Sequence, residues 1–375
     1  MKLKKKWNFN CNESILSAKL SKLRNLHTKN LFLSTKSGNI LVIDLNGKLL
    51  NREKITENSP IWNLEICDLN DDGIEELLLG GMDGLLRVYQ ISSPTTLEPL
   101  WAHQFASSVS GFRIGTLNNE KYLEILAYSL DKSLRILNSN NGSLIWGQIF
   151  EDGIEDAKIW INQKDIDQKE VLACGNDGTI RIFNAVNGSL LWFKRFSDKV
   201  RFIDYLNSDK GTLIICGGDD KLLHFIDKRS QEEIKTIEFD DYVWKCLSFP
   251  NSIQDSFLVS SYSFEYLDHS NPIQKINFSS KLLCIQKDLK TIWELKNKNT
   301  EVIYRFQIAT QRFIAIGTTK GELLILDEKN GTIIVSMNRD SVVNAIEYES
   351  ITRNLIICYE DGLIDSYHIV DIRNI

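Results

Sequence analysis

Apolar and polar residues alternate with a period of two along nearly the whole chain, in runs too short for helices. One template recurs: a short apolar run, a small residue, a polar turn, then a second alternating run. It reads "LLLGGMDGLLRVYQ" (77–90), "ILAYSLDKSLRILN" (125–138) and "VLACGNDGTIRIFN" (171–184). It recurs as "LFLSTKSGNILVID" (31–44), "LIICGGDDKLLHFID" (213–227), "FIAIGTTKGELLILD" (313–327) and "LIICYEDGLIDSYH" (355–368), with a weaker copy at "FLVSSYSF" (257–264). Successive copies begin 46, 48, 46, 42, 44, 56 and 42 residues apart. Asp-Gly at 83–84, 177–178 and 361–362 suits tight hairpins whose turns need positive φ. A third strand follows turns such as "NNGS" (140–143) and "KNGT" (329–332). A fourth precedes each unit, as in "IWNLEIC" (61–67) and "YVWKCLSF" (242–249).

Four antiparallel strands per period of about 45 residues is the arithmetic of a β-propeller blade. The fold class is therefore all-β, an eight-bladed propeller with seven blades as the alternative count, in one domain over residues 1–375. The last unit lacks chain for its outer strand. Trp101, Trp146, Trp192 and Trp293 occupy outer strands, and "KKKWNFN" sets Trp7 in the same register. Residues 3–10 are thus expected to complete the last blade with 341–375 and close the ring, which removes open sheet edges. Ser34, Gly80, Cys174, Cys216, Ser260, Gly317 and Cys358 fill one small-residue slot, interrupted by Tyr128.

Repeats of this kind resemble WD-type units, as in "NDGTIRIFN" (176–184). The endings "NGSLIW" (141–146) and "NGSLLW" (187–192) resemble the Gly-x-x-x-Trp close of quinoprotein-dehydrogenase-like (PQQ-like) repeats. That resemblance implies an eight-bladed ring, with or without cofactor and catalysis. The stretch "CDLNDDGIEELLLGG" (67–81) resembles the FG-GAP calcium loop of integrin-type propellers, and also propellers of the Bardet–Biedl ciliary coat complex. Asp68, Asn70, Asp72 and Glu76 supply oxygen ligands at positions one, three, five and nine, the chemistry calcium requires. The competing reading is an acidic turn capped by its own Asx hydrogen bonds.

Composition narrows function by exclusion. A net charge of −6 speaks against a nucleic-acid surface, and no apolar run approaches a membrane span. The 7 Cys without a CxxC fit neither a disulfide framework nor zinc, so a cytoplasmic location is expected. Histidines at 27, 103, 224, 269 and 368 form no ligand motif, and no nucleophile elbow or phosphate loop is present. His224 continues a ladder of Arg87, Arg135 and Arg181, expected to brace the turn aspartates.

Meander topology puts the second turn of each blade on the face of the blade-to-blade connectors. Acidic residues gather there, including Asp152, Asp156, Asp240 and Asp241, and suit a basic partner segment. An insertion, "EYLDHSNPIQKINF" (265–278), elaborates the sixth blade on that face, with Tyr266, His269 and Pro272 as contact candidates. The reading is a non-catalytic protein-interaction scaffold, a monomer or one subunit of a larger complex. A cofactor-binding or quinoprotein-like enzyme using the central channel is the alternative. A sugar-binding propeller would need exposed aromatics, and most tryptophans here follow the packing register.

Overall fold

The computed structural model describes residues 1–21, 29–117, 123–162, 165, 167–208, 211–248, 256–262 and 280–370. Thirty-two strands form eight four-stranded antiparallel sheets, an eight-bladed propeller with no helix among the described residues. Blade 4 shows the plan, running Ile154–Ile161, Lys169–Gly175, Thr179–Asn184 and Leu190–Arg195 from the axis outward. The second strand of each blade is buried on both faces; in Glu124–Ser129 of blade 3 every residue is buried. Outer strands are half exposed, as the short apolar–polar alternations demand.

Ring closure follows the expected route. Lys2–Asn10 pairs antiparallel with Leu363–Val370, outside Asn354–Tyr359 and Val343–Glu349 of blade 8. The chain's start therefore behaves as any outer strand does. Cys11 N–H donates to the Gly362 carbonyl at 3.0 Å, matching Phe105 to Gly84 in blade 2 and Phe150 to Lys132 in blade 3, both 2.8 Å.

Neighbouring blades are held by a clasp that recurs at four joints. The indole N–H of Trp7, Trp101, Trp146 and Trp293 donates to the carbonyl of Leu45, Ser139, Ala185 and Glu328, at 2.7, 2.8, 2.8 and 3.0 Å. Each acceptor lies in the next blade around the ring. Each ring also covers a turn glycine there: Gly47, Gly142, Gly188 or Gly331, all at φ between 68° and 86° within the left-handed region. A Cβ at Gly188 would stand 2.7 Å from the Trp146 ring, so only glycine fits both the backbone and the contact. Opposite Trp192 the same turn position holds Gln231 at φ 64°.

The small-residue slot is explained by packing between blades. A Cβ at Gly80 would meet Val109 of the next blade at 3.1 Å, and one at Gly317 would meet Val343 at 2.5 Å. Blade 5 corrects the expected column: pairing with Leu223 puts Gly217, not Cys216, in the slot, and Cys216 pairs with His224. Tyr128 is tolerated because Gly111 lies beneath it, where a Cβ would stand 2.3 Å from the phenol oxygen.

Trp146 is 9% exposed, so Trp146→Ala should cost about 3–5 kcal/mol in denaturant unfolding. Gly188→Ala should also destabilise, and the double variant should fall short of the sum because both remove one contact. Strict additivity would deny the clasp.

Candidate functional site

The channel mouth is built by one irregularity repeated in all eight innermost strands. After the first residue, or the second in blade 6, the register with the second strand slips by one, at 15/17, 61/63, 109/111, 154/156, 200/202, 243/245, 300/302 and 343/345. The residue before each bulge is β-branched and buried: Ile15, Ile61, Val109, Ile154, Val200, Val243, Thr300 and Val343. A bulge re-aims the extra side chain. Here the extra residues include Trp62, Glu155, Arg201, Trp244, Glu301 and Asn344, placed near the connectors.

Several of these reach the adjoining blade. Trp62 donates to the Val109 carbonyl at 2.7 Å, and Asn344 to that of Ile15 at 2.8 Å. Arg201 lies 3.4 Å from Glu155 and stacks 5.1 Å above the Trp244 ring. Its guanidinium also holds Asp219 through two hydrogen bonds of 2.7 and 2.6 Å. Glu155, Arg201 and Trp244 line an open cavity of about 310 Å³, together with Asn63 of blade 2 and with Arg113, Lys158 and Lys245.

Asp156, expected on the outer acidic face, is turned into this cavity and is 8% exposed. The bulge at 154/156 is the reason. Its carboxylate accepts from Arg113 at 2.7 Å, Tyr128 at 3.2 Å and the Ala157 amide at 2.9 Å, and faces the Ile203 amide at 3.4 Å. It thereby joins three blades. Burial raises the pKa of Asp204 behind it, despite the nearby Lys158. Further round the channel, burial pushes Glu347 up to about 7, with Glu65 adding to the shift and Lys19 opposing it.

Of the other expected partner-binding residues, Asp152, Asp240 and Asp241 fall among the described residues. Asp152 is exposed and accepts from the Gly153 amide, and Asp240 is exposed and paired with Lys281 at 2.8 Å. Asp241 is half-buried. Tyr266, His269 and Pro272 lie outside the described residues. The connector face is where topology put it: Met82 bonds back to Pro60, Leu130 to Ser108 and Asn176 to Gly153.

Its turn carboxylates are already engaged. Asp83, Asp131 and Asp177 pair with Arg87, Arg135 and Arg181 of the same blade at 2.5, 3.4 and 2.7 Å, and Asp220 with His224 at 3.0 Å. The cations also stack on aromatic rings of the preceding blade, Arg135 over Phe105 at 4.3 Å and Arg181 over Phe150 at 4.0 Å. Asp361 is paired with Arg339 of blade 7 at 2.7 Å. Acidic composition therefore overstates the field this face projects.

The 68–76 loop turns its oxygens on its own backbone. Asp68 accepts from the amides of Asp72 and Gly73, Asn70 from Asp72, and Asp72 from Ile74, over 2.7–3.2 Å. Glu76 also accepts from the loop's own backbone, from the Leu69 amide at 2.7 Å, as Glu124 does from Leu117 at 2.8 Å in blade 3. Among the described residues no three carboxylate, thiol or imidazole groups converge as metal ligands.

A family model described as the lambda-carrageenase beta-propeller domain matches residues 125–259, less than half the chain. No curated protein matches. Among solved structures, Sqt1 of Saccharomyces cerevisiae superposes with a TM-score of 0.74 at 10% identity, covering 99% of this chain and 100% of that one. The computationally designed Ika8 protein gives 0.71 at 13% identity, over 96% and 98%. BamB from Moraxella catarrhalis gives 0.63 at 14%, over 98% and 100%. At such identities these likenesses concern the fold alone, and together they set the chain among β-propellers.

Burial, opposed by the Leu69 hydrogen bond, and the nearby carboxylates Asp72, Asp68 and Glu75 hold Glu76 up at about 7. A carboxyl raised on folding favours the native state below its unfolded pKa and loses that contribution as pH climbs through the folded value. Stability should therefore fall between pH 5 and 8 by an increment that Glu76→Gln removes, and millimolar calcium should leave that increment unchanged. Calcium restoring the loss at pH 8 in the wild type alone would show that the loop rearranges around a cation.

Proposed function

We propose that this propeller is a non-catalytic scaffold that docks a protein partner on its connector face, around the channel mouth. The observation that carries the reading is the makeup of that face. Met82 and Leu130, at the tips of adjacent turns, are 58% and 41% exposed, beside the carboxylates of Asp83 and Asp131 that their own blades already hold. Apolar contacts ringed by polar groups whose geometry is preset are the anatomy of a protein interface. Asp152 and Asp240 extend its rim, where charge acts more on association rate than on affinity.

The seven cysteines are free, and five are buried. Burial raises Cys174, Cys216 and Cys358 well above the ordinary thiol range, which makes them poor nucleophiles. Free thiols suit the reducing cytoplasm we assign to the protein. The second reading, a cofactor-binding or quinoprotein-like activity in the channel, has the 310 Å³ cavity in its favour. An absorption spectrum of protein purified from its own host separates the two, since a bound quinone absorbs where the polypeptide does not.

Met82→Asp with Leu130→Asp should weaken capture of the partner by about tenfold or more. The unfolding free energy should stay within about 0.5 kcal/mol of the parent, since both side chains are at the surface. Undiminished capture by this variant would move the docking surface elsewhere.

A further inference from the structure

We infer that the channel-mouth cavity is a binding site for a carboxylate or phosphate group, so what enters the channel is anionic although the chain is acidic. The lining supplies four cations, Arg113, Lys158, Arg201 and Lys245, against two carboxylates, Glu155 and Asp156. Beyond it, Asp219 and Glu301 engage Arg201 and Lys245, so the case rests on hydrogen-bonding capacity as well as on charge.

The carboxylate of Asp156 is saturated: it accepts from Arg113, Tyr128 and the Ala157 amide, and faces the Ile203 amide. The guanidinium of Arg201 is spent on Asp219 and Glu155. The two lysines are different. Lys158 Nζ stands 3.5 Å from Asp156, beyond a good hydrogen bond, and Lys245 Nζ reaches the Glu301 carbonyl at 2.5 Å with the Glu301 carboxylate at 3.4 Å. An ammonium has three donors and no acceptor, so both keep donors for a ligand oxygen.

Two further features favour an anion here. Asp204, behind Lys158, is held toward its neutral form by burial. Trp244 closes one wall with its ring stacked on Arg201. A cavity of about 310 Å³ takes a small dianion or the end of one acidic side chain, not an extended chain. The group has two sources, a free small anion or a carboxylate of the docked partner. Only the second rests on the docking reading.

The test is thermal unfolding of the full chain at constant ionic strength, with inorganic phosphate or succinate against chloride. About 10 mM of either anion should raise the wild-type midpoint by about 2 °C more than that of Lys158→Gln/Lys245→Gln. Salting-out by phosphate is common to both proteins and cancels in the difference. Lys158→Arg should keep the response, which a merely structural lysine would not require. Equal shifts in wild type and the double glutamine variant overturn the site. Where the wild type responds, competition by the same anions with partner capture identifies the source as the partner, and undisturbed capture identifies a free ligand. Failure of the anion response leaves docking through Met82 and Leu130 standing, and the reverse also holds.

Discussion

The architecture hangs on a single closure. Blade 8 has three strands from the end of the chain, and its outer strand is Lys2–Asn10 from the beginning. Without that strand, Leu363–Val370 would offer an unpaired edge. The first joint would lose its clasp too, since Trp7 is the residue that reaches Leu45 and covers Gly47 in blade 1. Closure thus acts on two blades at once, and its contacts join residues at opposite ends of the sequence.

A closed ring crowds its innermost strands at the axis, and the repeated bulge is how this chain uses that crowding. A buried Ile, Val or Thr anchors each bulge, while the residue after it is free to differ from blade to blade. Blades 4, 5 and 6 place Glu155, Arg201 and Trp244 there, and these line the cavity with groups from blades 2 and 3. The scaffold is eightfold; the mouth is not. Asp156 shows how far such asymmetry reaches, because one carboxylate ties blades 3, 4 and 5 together.

Strands, blade count and closure were legible because each depends on local alternation and on a spacing of about 45 residues. The Arg–Asp ladder was legible for the same reason: partners four apart on one hairpin need no tertiary knowledge. What escaped depends on register between strands. A bulge is one residue long and leaves the apolar pattern intact, so Asp156 reads as a surface acid although it faces the channel. Blade 5 reads as placing Cys216 in the small slot until pairing with Leu223 selects Gly217. The Trp–Gly clasps escaped because their partners sit in different blades; Trp146 and Ala185 are 39 residues apart. A column of β-branched residues opening each innermost strand was the available signal for the bulges. In the 68–76 loop the oxygen spacing reads as a cation site, and the hydrogen bonds that Asp68, Asn70 and Asp72 accept from the loop's own amides are what side-chain spacing alone does not encode.

Amide hydrogen exchange on a chain lacking residues 1–10 tests closure most directly. The account predicts that Leu363–Val370 loses protection and that exchange quickens in blade 1 around Leu45 and Gly47, while blades 3 to 5 keep theirs. Protection of Leu363–Val370 equal to that of the full chain would contradict it.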